Sequence, residues 1–312
     1  MKHRVCSVAI LLVIASGVLG LSAAGAQGTP TVTAAVQVTT NPTPVRNHNA
    51  PAVARNPRTG ELVVAESDPR SQGRNCNIHI SADDGRSWGV GGELMPGRET
   101  DCSIYAEYGP YANLAFGKDG TLYVAFVASE PLNRSRNATP RSVFLARSED
   151  SGRTFATATV FKAPDGNPDR GLNKGPMLAV DPKNPAKLYV GWRQGILAAN
   201  ASEKLKSNIA ASVDGGRTFQ APVDLTDERG GDYPAIAVSG DGFVHAVYWT
   251  RTGIASQPAP TPAPLRPLQY VRSTDGGKTY TRPVSIDPGN QRADRPPLLA
   301  ADPRTPDLYM VW

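Results

Sequence analysis

One eight-residue pattern occurs four times, and it constrains the fold of the chain more than any other feature. Ser81-Ala82-Asp83-Asp84-Gly85-Arg86-Ser87-Trp88 returns as Ser148-Glu149-Asp150-Ser151-Gly152-Arg153-Thr154-Phe155, as Ser212-Val213-Asp214-Gly215-Gly216-Arg217-Thr218-Phe219, and as Ser273-Thr274-Asp275-Gly276-Gly277-Lys278-Thr279-Tyr280. The four leading serines are spaced by 67, 64 and 61 residues, a near-constant period that marks a repeat architecture. Each copy makes physical sense as a hairpin corner. The Asp carboxylate can accept hydrogen bonds from the N–H groups of its own turn, and the Ser or Thr hydroxyl can satisfy further backbone groups. The Gly supplies a positive φ, and the aromatic residue opens the returning strand and packs inward.

A second repeat runs in phase with the first. Pro51-Ala52-Val53-Ala54, Pro176-Met177-Leu178-Ala179, Pro234-Ala235-Ile236-Ala237 and Pro297-Leu298-Leu299-Ala300 read as short apolar strands, with Ala112-Asn113-Leu114-Ala115 as the second unit's counterpart. Each is followed by a tight turn, a second strand (around 62–65, 122–126, 188–192, 243–249 and 308–312), a longer polar loop and a third strand; the Asp-containing corner and a fourth strand close the unit. The 30 Gly and 28 Pro suit a chain with many turns and short strands. Four antiparallel strands per unit, repeated radially, make a β-propeller, which leaves only short protected edges. A two-sheet sandwich is the rival, but it does not require one corner sequence four times. The expected fold is all-β, with four full blades and the first two strands of a fifth.

The four corners resemble the Asp-box, or BNR repeat, of the sialidase-superfamily propellers, over nearly all of the chain after its leader. The resemblance implies six blades, of which this sequence would hold an incomplete set. It further implies an exo-α-sialidase type of chemistry: three arginines on a substrate carboxylate, an Asp acid/base in a first-blade loop, and a late-blade Tyr nucleophile paired with a Glu. The arginine of the family's R-I-P motif is replaced by Asn49 in Asn49-Ala50-Pro51, with Arg46 three residues earlier, and no late-blade Tyr is present. Arg295-Pro296-Pro297 fits R-x-P in the fifth unit, and Asp68 falls where the acid/base is expected.

Strand order sorts the two faces of such a propeller. Turns after first and third strands lie on the bottom and are short and stereotyped. Loops after second and fourth strands lie on top and are long and varied, the usual place for function on a rigid scaffold. Asp83, Gly85, Trp88, Asp150, Gly152, Phe155, Asp214, Gly216, Phe219, Asp275, Gly277 and Tyr280 are therefore structural corner residues rather than catalytic ones. Asn49, Lys174, Asp232 and Arg295, each two places before a strand-opening Pro, should ring the top of the channel, and Arg46, Arg170, Arg229 and Arg292 precede them. The candidate ligand-binding set is Arg46, Asn49, Lys174, Asp232, Arg292 and Arg295. An arginine there can take a carboxylate, sulfate or phosphate bidentately, or it can brace neighbouring blades. Asp68 is a candidate acid/base or a turn-forming Asp before Pro69.

Other features bound the setting. Residues 1–26 read as a signal peptide: a basic Met1-Lys2-His3-Arg4 start, an apolar run over 8–21, and Ala24-Gly25-Ala26 before Gln27. An uncleaved anchor is the alternative. Residues 27–45 form an extension with a strand-like 32–40 that could close the ring, and 46–312 form the propeller. Without Lys2 and Arg4 the chain carries 31 basic against 28 acidic residues, interspersed, so nothing points to a nucleic-acid partner. Cys76 and Cys102 remain after the leader, an even pair expected to form a disulfide in an oxidising compartment, with two free thiols as the alternative. His48, His79 and His245 show no metal spacing, so no cofactor is expected; Ca²⁺ under a carboxylate-rich top loop stays open. There is no G-x-S-x-G elbow and no P-loop. The resulting expectation is an exported monomer without a stable membrane span. It presents a polar top face to carbohydrate or another extracellular ligand, as a glycan-binding or glycoside-hydrolysing protein, or else as a non-catalytic scaffold for protein partners.

Overall fold

The computed structural model describes residues 35–39, 49–70, 73–102, 113–129, 141–163, 172–195, 205–250, 267–286 and 297–312; at 49, 50, 68–70, 73–75, 129 and 172 it describes the backbone alone. The leader and most of the extension fall outside the described residues, and 35–39 carry no strand. Contacts divide the chain into Met1–Ala35 and Val36–Trp312, and every strand belongs to the second unit.

Among the described residues all regular structure is β. The first sheet is β1 (Asn49–Arg55), β2 (Leu62–Arg70), β3 (Gly73–Ser81) and β4 (Gly89–Val90) in sequential antiparallel order. The second contains β5 (Thr100–Asp101), β6 (Leu114–Phe116), β7 (Leu122–Ser129), β8 (Arg141–Ser148) and β9 (Ala156–Phe161). The third is β10 (Leu172–Val180), β11 (Leu188–Gly195), β12 (Lys206–Ser212) and β13 (Val223–Asp224). The fourth is β14 (Asp232–Val238), β15 (Val244–Trp249), β16 (Leu268–Ser273) and β17 (Val284–Ile286). β18 (Leu298–Ala301) and β19 (Leu308–Val311) form a two-stranded sheet after them. This is a blade-based β-propeller, as the repeat implied.

The second blade departs from the expected pattern. Its inner position is shared: β6 pairs with Leu122–Val124 of β7, while Thr100–Asp101, earlier in the chain, pairs with Ala128 and Val127. Three bonds hold this split. The Cys76–Cys102 disulfide joins the first blade to the end of β5. Asn113 Nδ2 donates to the Cys102 carbonyl (2.9 Å), and Ala125 N donates to the Asn113 carbonyl (2.8 Å).

Consecutive blades share apolar cores. Because an interior sheet is covered on both faces, its central strand is apolar at nearly every position rather than at alternate ones. Val63 and Ala65 face Leu122, Val124 and Phe126. Tyr123, Ala125 and Val127 face the other way, onto Leu178, Leu188, Val190 and Trp192. Tyr189 and Met177 pack in turn with Tyr233, Ala235 and Tyr248. One position of the second strand is aromatic in three blades. Phe126 stacks on Phe144 at 5.6 Å, Trp192 meets Phe161 at 5.5 Å, and the Tyr248 hydroxyl donates to the Leu225 carbonyl at 2.9 Å. In the first blade the same position is Glu66, buried, accepting from Asn77 Nδ2 (2.9 Å) and paired with His79 Nε2 (3.2 Å).

The four corners share one hydrogen-bond pattern. In the second blade, Ser148 Oγ donates to Asp150 Oδ1 (2.7 Å) and accepts from Gly152 N (2.7 Å), while Asp150 accepts from the Thr154 amide (2.9 Å) and hydroxyl (2.6 Å). The corners at Asp83, Asp214 and Asp275 repeat the serine, amide and hydroxyl bonds. The Ser87 hydroxyl and amide, with Ser81, hold the Asp83 carboxyl down at about 2. At Asp150 and Asp214 burial pushes upward, but the threonine and serine donors outweigh it and leave both at about 2. Three of the four corner aromatics turn in as expected: Phe155, Phe219 and Tyr280 each pack against the preceding blade, whereas Trp88 stays half-buried outside the shared cores.

The fourth blade carries a buried polar chain with a pH consequence. His245 takes the place of Tyr123 and Tyr189; its Nε2 lies 2.8 Å from Ser239 Oγ and its Nδ1 lies 2.8 Å from the Tyr270 hydroxyl. Burial pushes the imidazole from 6.5 to about 4, with Asp241 opposing and Arg272 reinforcing. The unfolded chain therefore binds a proton between pH 6.5 and 4 that the folded chain refuses. Stability is full above 6.5 and falls with pH through that window, by at most about 1.4 kcal/mol per unit. His245→Tyr should flatten this slope in urea unfolding series at pH 7, 5.5 and 4.5; an unchanged slope would assign it elsewhere.

Candidate functional site at the channel mouth

The inner strands begin with a shared irregularity. Pairing shifts register between Asn49 and Ala52 in β1, between Lys174 and Met177 in β10, and between Asp232 and Ala235 in β14. The cause is local. In each X-y-Pro triplet the Pro cannot donate to the ladder, so the chain bulges, and a bulge re-aims the residue before it. In β10 and β14 the backbone at y is left-handed: Gly175 has φ +58° and Tyr233 has φ +37°. Glycine takes that conformation without strain, whereas a buried tyrosine does so only when its surroundings fix it.

The surroundings of Tyr233 do fix it. Arg193, near the end of β11, donates from Nη1 to the Tyr233 hydroxyl (3.0 Å) and sits 5.3 Å above its ring. The same guanidinium pairs through Nε with Asp232 Oδ1 (3.3 Å), whose side chain is 0% exposed. Third-blade cation, fourth-blade carboxylate and strained tyrosine thus form one cross-blade unit at the mouth. Lys174 pairs with Arg193 in the β10–β11 ladder and is half-buried.

A second chain of bonds crosses the first three blades. Ser67 Oγ donates to Asp101 Oδ1 (3.0 Å), and Arg141 Nη1 donates to Asp101 Oδ2 (3.1 Å). Asn173 Nδ2 donates to the Arg141 carbonyl (2.5 Å) and its Oδ1 accepts from Trp192 Nε1 (3.0 Å). Between the third and fourth blades Arg229 forks onto Asp227, with Nη2 at 2.5 Å, and also donates to Gln269 Oε1 (2.9 Å). In these contacts Arg229 acts as a brace.

The expected site residues fare as follows. Lys174 and Asp232 come together at neighbouring inner strands, Lys174 in ladder register with the Arg193 that pairs Asp232. Asn49 and Asp68 are described by backbone alone: Asn49 opposite Ser67, and Asp68 in β2 opposite Asn75. Arg46, Arg170, Arg292 and Arg295 lie outside the described residues. Among the described residues no three His, Cys, Asp or Glu side chains are grouped to hold a metal. Sequence reasoning missed Arg193, Asp101, Arg141 and the strain at Tyr233. Arg193 had a readable signal: it is a charged residue where the apolar Val127 and Trp249 stand in other blades. Asp101 had none, because its strand precedes the segment that matches the other units' first strands.

Arg193 and the Asn173 amide are buried and engaged by Asp232, Tyr233, the Arg141 carbonyl and Trp192, so among the described residues the cations nearest the surface of the mouth are the half-buried Lys174 and Arg229. Such groups can take a polyhydroxylated or anionic ligand; Asp232, buried and paired, is not placed to move protons to one.

The chain matches no family model and no curated protein. Among solved structures it is similar to a protein of unknown function from Dyadobacter fermentans, at 17% identity and a TM-score of 0.51, over 82% of this chain and 70% of that one. It is also similar to the Penicillium chrysogenum α-L-arabinanase complexed with arabinobiose, at 18% identity and a TM-score of 0.49, over 81% of this chain and 70% of that one. A Hadza microbial sialidase follows at 14% identity and a TM-score of 0.44, over 81% of this chain and 61% of that one.

Proposed function

We propose that the chain is an exported carbohydrate-binding propeller that takes an extracellular glycan at the channel mouth. The observation that carries the reading is the paired bulge at Lys174 and Asp232, where a strained Tyr233 and Arg193 hold a polar rim in one arrangement. Backbone strain held by over-determined contacts clusters at ligand sites, which favours a binding role for this rim. The corner repeats, with their resemblance to sialidase-type propellers, favour carbohydrate as the ligand class. The similarity to an arabinanase agrees with that choice but is too distant to support it.

A glycan array followed by calorimetry on the hits tests the reading. Binding is expected, with Lys174→Ala weakening it about tenfold, the effect of one lost charge-assisted bond. Fluorogenic α-sialosides and α-L-arabinofuranosides then ask for turnover. Hydrolysis abolished by Asp68→Asn would place the acid/base on the first top loop, as the family resemblance implies, and binding without turnover would define a lectin-like module. If no glycan binds, the carbohydrate reading fails and a protein-docking scaffold takes its place.

A further inference from the structure

The opposite, bottom face holds a cleft of about 220 Å³ between the second and third blades, lined by Asp119, Thr121, Tyr123, Arg147, Glu149 and Arg217 among others. Its origin can be read by comparing junctions. Between the first and second blades, Arg153 Nη2 of the corner reaches back to Glu61 Oε1 (2.6 Å), and Asn56 Nδ2 donates to Ser151 Oγ (2.8 Å). One junction on, the residue before the second strand is Thr121 instead of Glu61, Gly117 replaces Asn56, and Gly215 replaces Ser151. Three of the four bridging side chains are therefore lost or shortened, while the arginine stays. Arg217 keeps the bond to the carbonyl of its own Asp214 (2.6 Å) that Arg153 also makes to Asp150 (2.8 Å), but among the described residues no carboxylate pairs with it as Glu61 pairs with Arg153. Tyr123 is buried, and its hydroxyl reaches the Pro185 carbonyl at 3.4 Å.

We infer that this cleft is a second carbohydrate site, sized for one monosaccharide unit and separate from the channel mouth; the choice of ligand class rests on the carbohydrate reading above. Three carboxylates (Asp119, Glu149, Asp214) face two guanidiniums (Arg147, Arg217), so the lining disfavours a phosphate or carboxylate ligand, while the guanidiniums disfavour a bare cation. No aromatic face is open to an apolar ring. What the lining offers is planar groups of both signs: the remaining oxygens of Asp119 and Glu149 as acceptors for O–H donors, Asp214 being taken up by its own corner, and a guanidinium with N–H donors in a fixed fork. Adjacent sugar hydroxyls satisfy both at once, since each is donor and acceptor. Arg147 is engaged by Glu149 at 2.6 Å, and Arg217 carries the donors still to be used.

Saturation-transfer NMR with methyl β-D-galactopyranoside, methyl α-L-arabinofuranoside and methyl β-D-glucopyranoside tests this on the full chain. At least one probe is expected to receive saturation. Thr121→Glu rebuilds the acid of the first junction opposite Arg217, closes the cleft and is expected to weaken that probe about tenfold or more while leaving Tm unchanged or raised. Arg217→Ala provides a second variant with the same expected loss. Equal signals in wild type and both variants, or no signal from any probe, overturn the proposal. Lys174→Ala separates the two sites: glycan binding lost only there removes the cleft and keeps the mouth, and binding lost only in Thr121→Glu and Arg217→Ala does the reverse.

Discussion

Replacing Arg193 with Ala is expected to cost about 3–5 kcal/mol of folding stability, one of the two largest single effects predicted for this chain. Removing the guanidinium takes from the Asp232 carboxylate, 0% exposed, a cation 3.3 Å away, and strips the Tyr233 hydroxyl of a 3.0 Å donor. It also removes the group that holds Tyr233 at φ +37°. Asp232→Ala should cost a similar amount for the converse reason. The double variant Arg193→Met with Asp232→Leu should recover most of the loss, because exchanging a whole buried pair for apolar side chains avoids stranding either charge. Urea midpoints of the four proteins check this; if each single variant costs less than about 1 kcal/mol, the pair is solvated and the unit at the mouth is not rigid. Glycan binding of the double variant, measured beside its stability, separates the two roles. Recovered stability with lost binding assigns the pair to the ligand, and recovery of both assigns it to the fold.

The blade plan could be read from the sequence because it rests on short-range chemistry. A serine, an aspartate two residues on and a glycine two further close a turn almost by themselves, and repetition at near-constant spacing turned four local signals into one global one. The buried second strands were equally plain, because a sheet covered on both faces leaves an unbroken apolar run such as Leu122 to Ala128. What stayed hidden was long-range. Nothing adjacent to Thr100 and Asp101 says that they share the inner position of the second blade with Leu114–Phe116, since that follows from pairing to β7 and from a disulfide 26 residues long. The mouth was half legible: X-y-Pro marked Lys174 and Asp232, but the cation that pairs Asp232 comes from β11, and the strain falls on Tyr233, a residue whose type gives no warning of positive φ. The cleft on the bottom face could be seen only as a difference between junctions, at Thr121, Gly117 and Gly215, once register had aligned them.

Gly216→Ala should be nearly as damaging as the loss of Arg193, and for a reason the corner sequence alone does not reveal. Gly216 has φ +77°, so any side chain is strained there. Conformation is only part of the cost. A Cβ at this position would lie 2.4 Å from Leu145 Cδ2 and 3.3 Å from Leu188 Cδ2, and Leu145 is a fully buried residue of the preceding blade. The corner glycine is thus where one blade rests on the side chains of another, as Gly152 does on Ile78 and Gly277 on Tyr189. Strain of about 1 kcal/mol and overpacking of about 1–3 kcal/mol together give a loss of roughly 2–4 kcal/mol. Gly242→Ala separates the two contributions, because that glycine has φ +82° but nothing within 4 Å of its would-be Cβ. It should cost the strain alone. Equal midpoints for the two variants in chemical denaturation would show that the corners are turns and nothing more. A gap of about 1 kcal/mol or more would show that they also set the spacing between blades, which ties the recurring glycine to the distance at which neighbouring sheets present the residues of the mouth.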